Sequence, residues 1–98
     1  MILEVTSIHI QAQSQDLFES AVAKGVADII QHSKGYLNYA LHQQMGEPQH
    51  YALHIQWQHL DNHLVDFRQS ENFTAWRALI SPYFAAPPTT QHYTIVQP

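Results

Sequence analysis

Polar and apolar residues alternate in part from Leu3 to Ile10, where aliphatic and β-branched side chains predominate, and this predicts a first strand. From Ser14, a residue suited to capping a helix, the period changes. Leu17, Phe18, Ala21, Val22, Gly25, Val26, Ile29 and Ile30 recur at spacings of three and four, with Asp16 and Glu19 in the positively polarised first turn and Lys34-Gly35 as the stop. Strand patterning returns at Tyr36 to Gln43 and at His50 to Trp57, where Tyr51, Leu53, Ile55 and Trp57 alternate with Ala52, His54 and Gln56. Met45-Gly46-Glu47-Pro48 supplies the turn of an antiparallel hairpin. Asp61 can cap a short helix carrying Leu64, Phe67 and Arg68, and Ser70 a second presenting Phe73, Trp76 and Ile80, which Pro82 ends. Pro87-Pro88 forms a stiff link to a last strand, His92 to Val96. The order β-α-β-β-α-β predicts an α+β, ferredoxin-like fold: one four-stranded antiparallel sheet with both helical segments on one face. The other face requires a cover.

Composition turns that requirement into an expectation of self-association. The 98 residues show no compositional break, so residues 1–98 read as a single domain, and a chain this short buries only roughly 60 to 65% of its unfolded surface. Hydrophobic residues are 45% and charged residues 12%, which leaves few charges to coat a monomer and predicts a homodimer. Four Lys plus Arg against eight Asp plus Glu give a net charge of −4 with no basic cluster, which predicts no nucleic-acid partner. The start M-I-L-E-V lacks a basic run and reads as a strand and not a signal peptide. No apolar stretch approaches the ~20 residues that span a bilayer, so no membrane association is expected. With no cysteine there is no disulfide, thiolate ligand or cysteine nucleophile, and the expected location is the cytoplasm.

Candidate chemistry is concentrated in one stretch. Both tryptophans, both arginines and three of the four phenylalanines lie between Trp57 and Phe84, together with His59 and His63. This places an imidazole and two fixed cations beside a large aromatic surface, as a pocket for a flat, oxygen-bearing organic molecule needs. Trp57, Phe67, Phe73, Trp76 and Tyr83 are candidates to wall that pocket; aromatics at helical spacing equally well fill a core. Arg68 and Arg77 can each pair with an ionised substrate oxygen or with an acidic neighbour. His59-x-x-x-His63 and His50-x-x-x-His54 have spacings that bind metal on a helix, but the second pair falls on a strand, and His-Glu-x-x-His is absent. No metal site is predicted.

Gly35-Tyr36-Leu37 opening the second strand, Trp57 closing the third, and His63 with Phe67-Arg68-x-Ser70-x-x-Phe73-x-x-Trp76-Arg77 give the chain a family likeness over nearly its whole length. It resembles the antibiotic biosynthesis monooxygenase superfamily, small ferredoxin-like domains that pack sheet against sheet as dimeric α/β barrels. Similar domains include cofactor-free oxygenases, haem degraders, isomerases and proteins of no known activity. Where the haem degraders have a haem-distorting tryptophan this chain has Phe67, and where they have the iron-binding histidine it has Arg77. Thr6 and Ser7 stand where they have a first-strand asparagine. The resemblance therefore implies no haem, and no cofactor is expected.

In the cofactor-free oxygenases a phenolic or enolic substrate is ionised and its anion reacts with oxygen directly, so the protein supplies a base, a cation and a dry cavity. On this likeness His63 is the candidate base, since imidazole titrates near neutrality and a helix N-terminus favours its neutral form. Arg68 is the candidate cation, with Arg77 as a further substrate contact, and Asn62 resembles an asparagine that orients substrate in some oxygenases. Alternatively His63 is structural, bonded to backbone, Asp61 or Asp66. The function implied is cofactor-independent monooxygenation of a small aromatic, quinol-like or enolic substrate. A non-catalytic small-ligand-binding or assembly homodimer and a small-molecule isomerase are the alternatives.

Overall fold

The computed structural model describes every residue from Met1 to Pro98. Its elements are β1 (Ile2–His9), α1 (Gln15–Asp28), β2 (Tyr36–Gln43), β3 (His50–Trp57), α2 (Glu71–Ile80) and β4 (Thr89–Thr94). The strands form one antiparallel sheet in the order β2-β3-β1-β4, the ferredoxin-like arrangement that the element order predicts. Strand alternation sends Ile8, Tyr51, Leu53, Ile55 and Trp57 to one face, where they bury against Phe18, Val22 and Val26 of α1 and Trp76 and Ile80 of α2. Each such side chain contributes roughly 1.5 to 3 kcal/mol on burial, so this face holds the fold together.

Three boundaries differ from the pattern of the sequence. The first helix stops at Asp28, before Lys34-Gly35; a 3-10 turn, Ile30–His32, follows and draws Ile30 to full burial. Gly35, with φ of +81°, instead opens β2. The last strand begins at Thr89, because Thr89 and Thr90 pair with Ser7 and Thr6, and it ends before the exposed Val96. Asp61 makes no side-chain cap: Asn62–Phe67 is π-helical, and the Arg68 N–H reaches back to the His63 carbonyl at 2.9 Å. That wider turn brings both His63 and Phe67 inward, to 3% and 4% exposure, and such turns recur at functional sites.

Ser70 caps α2 by accepting the Phe73 N–H at 3.4 Å. Gly25 lets α1 and α2 approach, since a Cβ there would stand 2.5 Å from Cε3 of Trp76. The opposite sheet face carries no helix. It mixes Val5, Ala40 and Ala52 with His42, His54 and Gln56, and the rings of His42 and His54 meet edge-on at 4.9 Å.

Candidate functional site

A cavity of about 540 Å³ lies between the sheet and α2, within the range of small-molecule sites. Its floor is Glu4, Thr6, Ile8, Leu53, Ile55 and Thr90, and its roof is His63, Phe67, Phe73, Trp76 and Ile80. Arg68, Arg77 and the Phe84–Pro88 segment also line it. That segment is tied to the end of β1 by Ala85 N–H to His9 O at 2.7 Å and Gln11 N–H to Tyr83 O at 2.9 Å. The wall is therefore held by backbone and not left to side chains.

At the floor sits a carboxylate that apolar surroundings would normally exclude. Glu4 is 6% exposed and lies between Ile55 and His92 in the sheet. Its Oε1 accepts the Trp57 indole N–H at 3.0 Å and its Oε2 accepts the Thr6 hydroxyl at 2.8 Å. His63 Nε2 approaches Oε1 at 3.3 Å, and His63 Nδ1 meets His92 Nε2 at 2.8 Å. His63 Nδ1 and His92 Nε2 share a hydrogen bond whose direction the tautomers set, while His63 Nε2 stands beside the carboxylate at 3.3 Å without bonding to it. The two imidazoles and the carboxylate thus lie in contact from the half-buried His92 to the cavity floor.

Burial governs the electrostatics. Desolvation raises the Glu4 pKa above 4.5, opposed by the Trp57 and Thr6 donors and by the charge of Arg68. Desolvation, then His92 and Arg68, pushes His63 down to about 4. Both shifts oppose the charged forms, so the Glu4–His63 contact is a close approach of a neutral imidazole and not an ion pair. His92 is lowered as well, by burial and by Arg68.

Of the residues singled out in the sequence, His63, Phe67, Arg68, Phe73, Trp76 and Arg77 line one cavity. Trp57, Asn62 and Tyr83 stand outside its lining. Trp57 is fully buried behind Glu4, stacked on His63 with ring centres 5.4 Å apart. Asn62 accepts the His59 N–H at 2.9 Å and donates to Asp66 at 3.1 Å, which fixes the start of the π-helical turn. Tyr83 packs against the core from the segment that closes the cavity. The hydrogen-bond partner of His63 is His92, with Glu4 3.3 Å from its other nitrogen, and neither Asp61 nor Asp66 bonds to it. No cluster of three or more His, Cys, Asp or Glu is placed to hold a metal ion.

Glu4, Thr6 and His92 are the site residues that sequence reasoning missed. The signal for Glu4 was present: Ile2, Glu4, Thr6, Ile8 and Ile10 share one face by alternation, and a lone carboxylate on a core-facing stripe is a functional flag. His92 carried no such signal, since its neighbour is set by β1–β4 pairing.

His63→Ala should lower stability by roughly 1 to 3 kcal/mol, because His92 loses its hydrogen-bond partner and a gap opens beside Trp57 and Glu4. It should also change the acid side of the stability curve. In the wild type the unfolded chain protonates His63 from about pH 6.5 while the folded chain resists until about 4, so stability is lost as pH falls through that window. The variant should lack this slope. Urea titrations of both proteins at pH 7 and 5 measure it, and equal pH slopes would contradict the assignment.

The fold is a ferredoxin-like α+β domain with a cavity between its sheet and α2. Residues 1–79 match the model of the family described as antibiotic biosynthesis monooxygenase, and the chain belongs to that family. The uncharacterised protein YczJ of Bacillus subtilis strain 168 is 32% identical over 93 residues, covering 95% of this chain and 97% of that protein. The crystal structure of a candidate antibiotic biosynthesis monooxygenase from Bordetella bronchiseptica is 38% identical with a TM-score of 0.91, covering 98% of this chain and 97% of that one. At 19% identity, where the likeness concerns fold alone, the Streptomyces coelicolor monooxygenase ActVA-Orf6, solved with nanaomycin D, gives a TM-score of 0.81 over 95% of this chain and 85% of that one. No helix is long and apolar enough to cross a membrane.

Proposed function

We propose that the protein is a cofactor-independent monooxygenase that ionises a small phenolic or enolic substrate in this cavity. The observation that carries the reading is the Glu4 carboxylate, buried at the floor of an aromatic-walled cavity and facing it with both oxygens held by donors. His63 Nδ1 is bonded to His92 and burial pushes the imidazole down to about 4, below the raised carboxylate, so Glu4 is the group that accepts the substrate proton. Its raised pKa makes it a stronger base than an exposed carboxylate. His63 and Trp57 hold it in place. Arg68, whose charge reaches Glu4, His63 and His92, offsets the negative charge on the ionised oxygen. Phe67, Phe73 and Trp76 exclude water and flank the ring, leaving an electron-rich anion to react with dioxygen. A protein of the same fold was solved with nanaomycin D, which supports a small-molecule ligand for this cavity.

Oxygen consumption against a panel of quinols and anthrone-like phenols, with and without added metal, tests this function. The expected result is uptake with at least one of them at a rate that neither metal nor chelator changes. No uptake across the panel contradicts it.

The reading includes a homodimer formed through the uncovered sheet face. Its total buried area should exceed ~1,200 Å². Sedimentation should give a dimer at micromolar concentration, and a stable monomer there would overturn this part.

A further inference from the structure

Only four side chains of this chain carry a fixed positive charge, against eight carboxylates. Lys24 is paired with Asp28 at 2.7 Å, and Lys34 stands away from the cavity. The remaining two, Arg68 and Arg77, both line the cavity, and neither enters an ion pair although acids outnumber bases two to one. Their guanidinium carbons stand 5.7 Å and 5.9 Å from the centre of the same ring, Phe73. The one carboxylate that lines the cavity, Glu4, is already engaged by Trp57, Thr6 and His63. The site therefore holds two cations and one committed anion.

One cation suffices to offset the oxygen ionised at Glu4. Arg68 fills that role, since its charge acts on Glu4, His63 and His92. Arg77 lies on α2, one turn before Ser81, whose residue also lines the cavity. An unpaired planar guanidinium beside an aromatic ring is suited to a carboxylate laid against that ring.

Resting on the monooxygenase reading, we infer that the substrate is a hydroxylated aromatic acid, with its hydroxyl at Glu4 and a separate carboxylate held by Arg77. The neutral ring system fills the apolar middle between Ile8, Leu53 and Ile55 on one side and Phe73, Trp76 and Ile80 on the other. A cavity of about 540 Å³ accommodates two or three fused rings. Fixing the molecule at both ends orients the reacting carbon, which a purely apolar pocket does not.

The test uses 6-hydroxy-2-naphthoate, which carries the two groups at opposite ends of a flat bicycle, its methyl ester, and calorimetry under anaerobic conditions at neutral pH. The acid should bind about 10-fold or more tightly than the ester, with an affinity that falls as salt rises. Arg77→Gln, a change at an exposed position, should abolish the preference, so that acid and ester bind alike. Arg68→Gln should weaken acid and ester together. Equal binding of acid and ester, a preference that survives Arg77→Gln, or no acid binding at millimolar concentration would overturn the inference. Oxygen uptake separates the two proposals: acid preference without uptake on any phenol refutes the oxygenase and keeps the acid site, whereas uptake on neutral phenols without acid preference does the reverse.

Discussion

Glu4→Gln is expected to lower oxygen consumption by about 10²- to 10⁴-fold while leaving the melting temperature within a few degrees of wild type. The substitution preserves shape, and the amide oxygen can still accept from Trp57, while the Thr6 hydroxyl can turn to accept from the amide nitrogen. Only the basic charge is removed. A structural role for Glu4 predicts the opposite pairing, a marked loss of stability with the rate following the folded fraction. The pH dependence separates them further. With Glu4 as base, kcat/KM should fall as pH drops through a pKa above 4.5, with no inflection from His63, which stays neutral down to about 4. An inflection near 6.5 that disappears in His63→Ala would return the base role to His63.

The second large effect is on stability alone. Gly35→Ala should cost roughly 2 to 4 kcal/mol, from adding a Cβ in the left-handed region and from overpacking. The glycine has φ of +81°, and a Cβ there would stand 2.1 Å from Oδ1 of Asn62. Asn62 cannot easily retreat, because it is bonded to the His59 N–H and to Asp66. The strain should therefore spread into the π-helical turn that carries His63 and Phe67. Urea unfolding at constant m-value gives the loss directly, and a change below about 0.5 kcal/mol would show that the Gly35–Asn62 contact does not constrain the turn.

The sheet was legible in the sequence because its signals are local. Alternation in β3 and the glycine-bearing turn before it set β2 and β3 to the residue, and the register carries the core-facing stripe of β3 onto that of β1. The end of α1 was not legible: apolar spacing continues through Ile29 and Ile30, and tertiary burial of Ile30 selects a tighter turn there. The π-helical turn was not legible either, since Leu64 and Phe67 fit an ordinary helix equally well, and the Asn62 bonds to His59 and Asp66 and its seat against Gly35 arise only in the folded chain.

The roof of the candidate site followed from the aromatic and arginine spacing around α2. Its floor needed pairing between distant strands: Glu4 and His92 are neighbours in the sheet and stand 88 positions apart in the chain. Asn62 and Trp57 were legible as important but not in their roles, because hydrogen-bond partners such as His59 and Glu4 emerge only once the chain is folded.

The central claim is that the cavity ionises its substrate at Glu4 before oxygen reacts. The most direct measurement is the absorption spectrum of anthrone added anaerobically to the wild type and to Glu4→Gln at neutral pH. The account predicts the red-shifted band of the enolate in the wild-type complex and its absence in Glu4→Gln at matched occupancy. A bound probe that stays un-ionised in the wild type, or an enolate band of equal strength in Glu4→Gln, would contradict it.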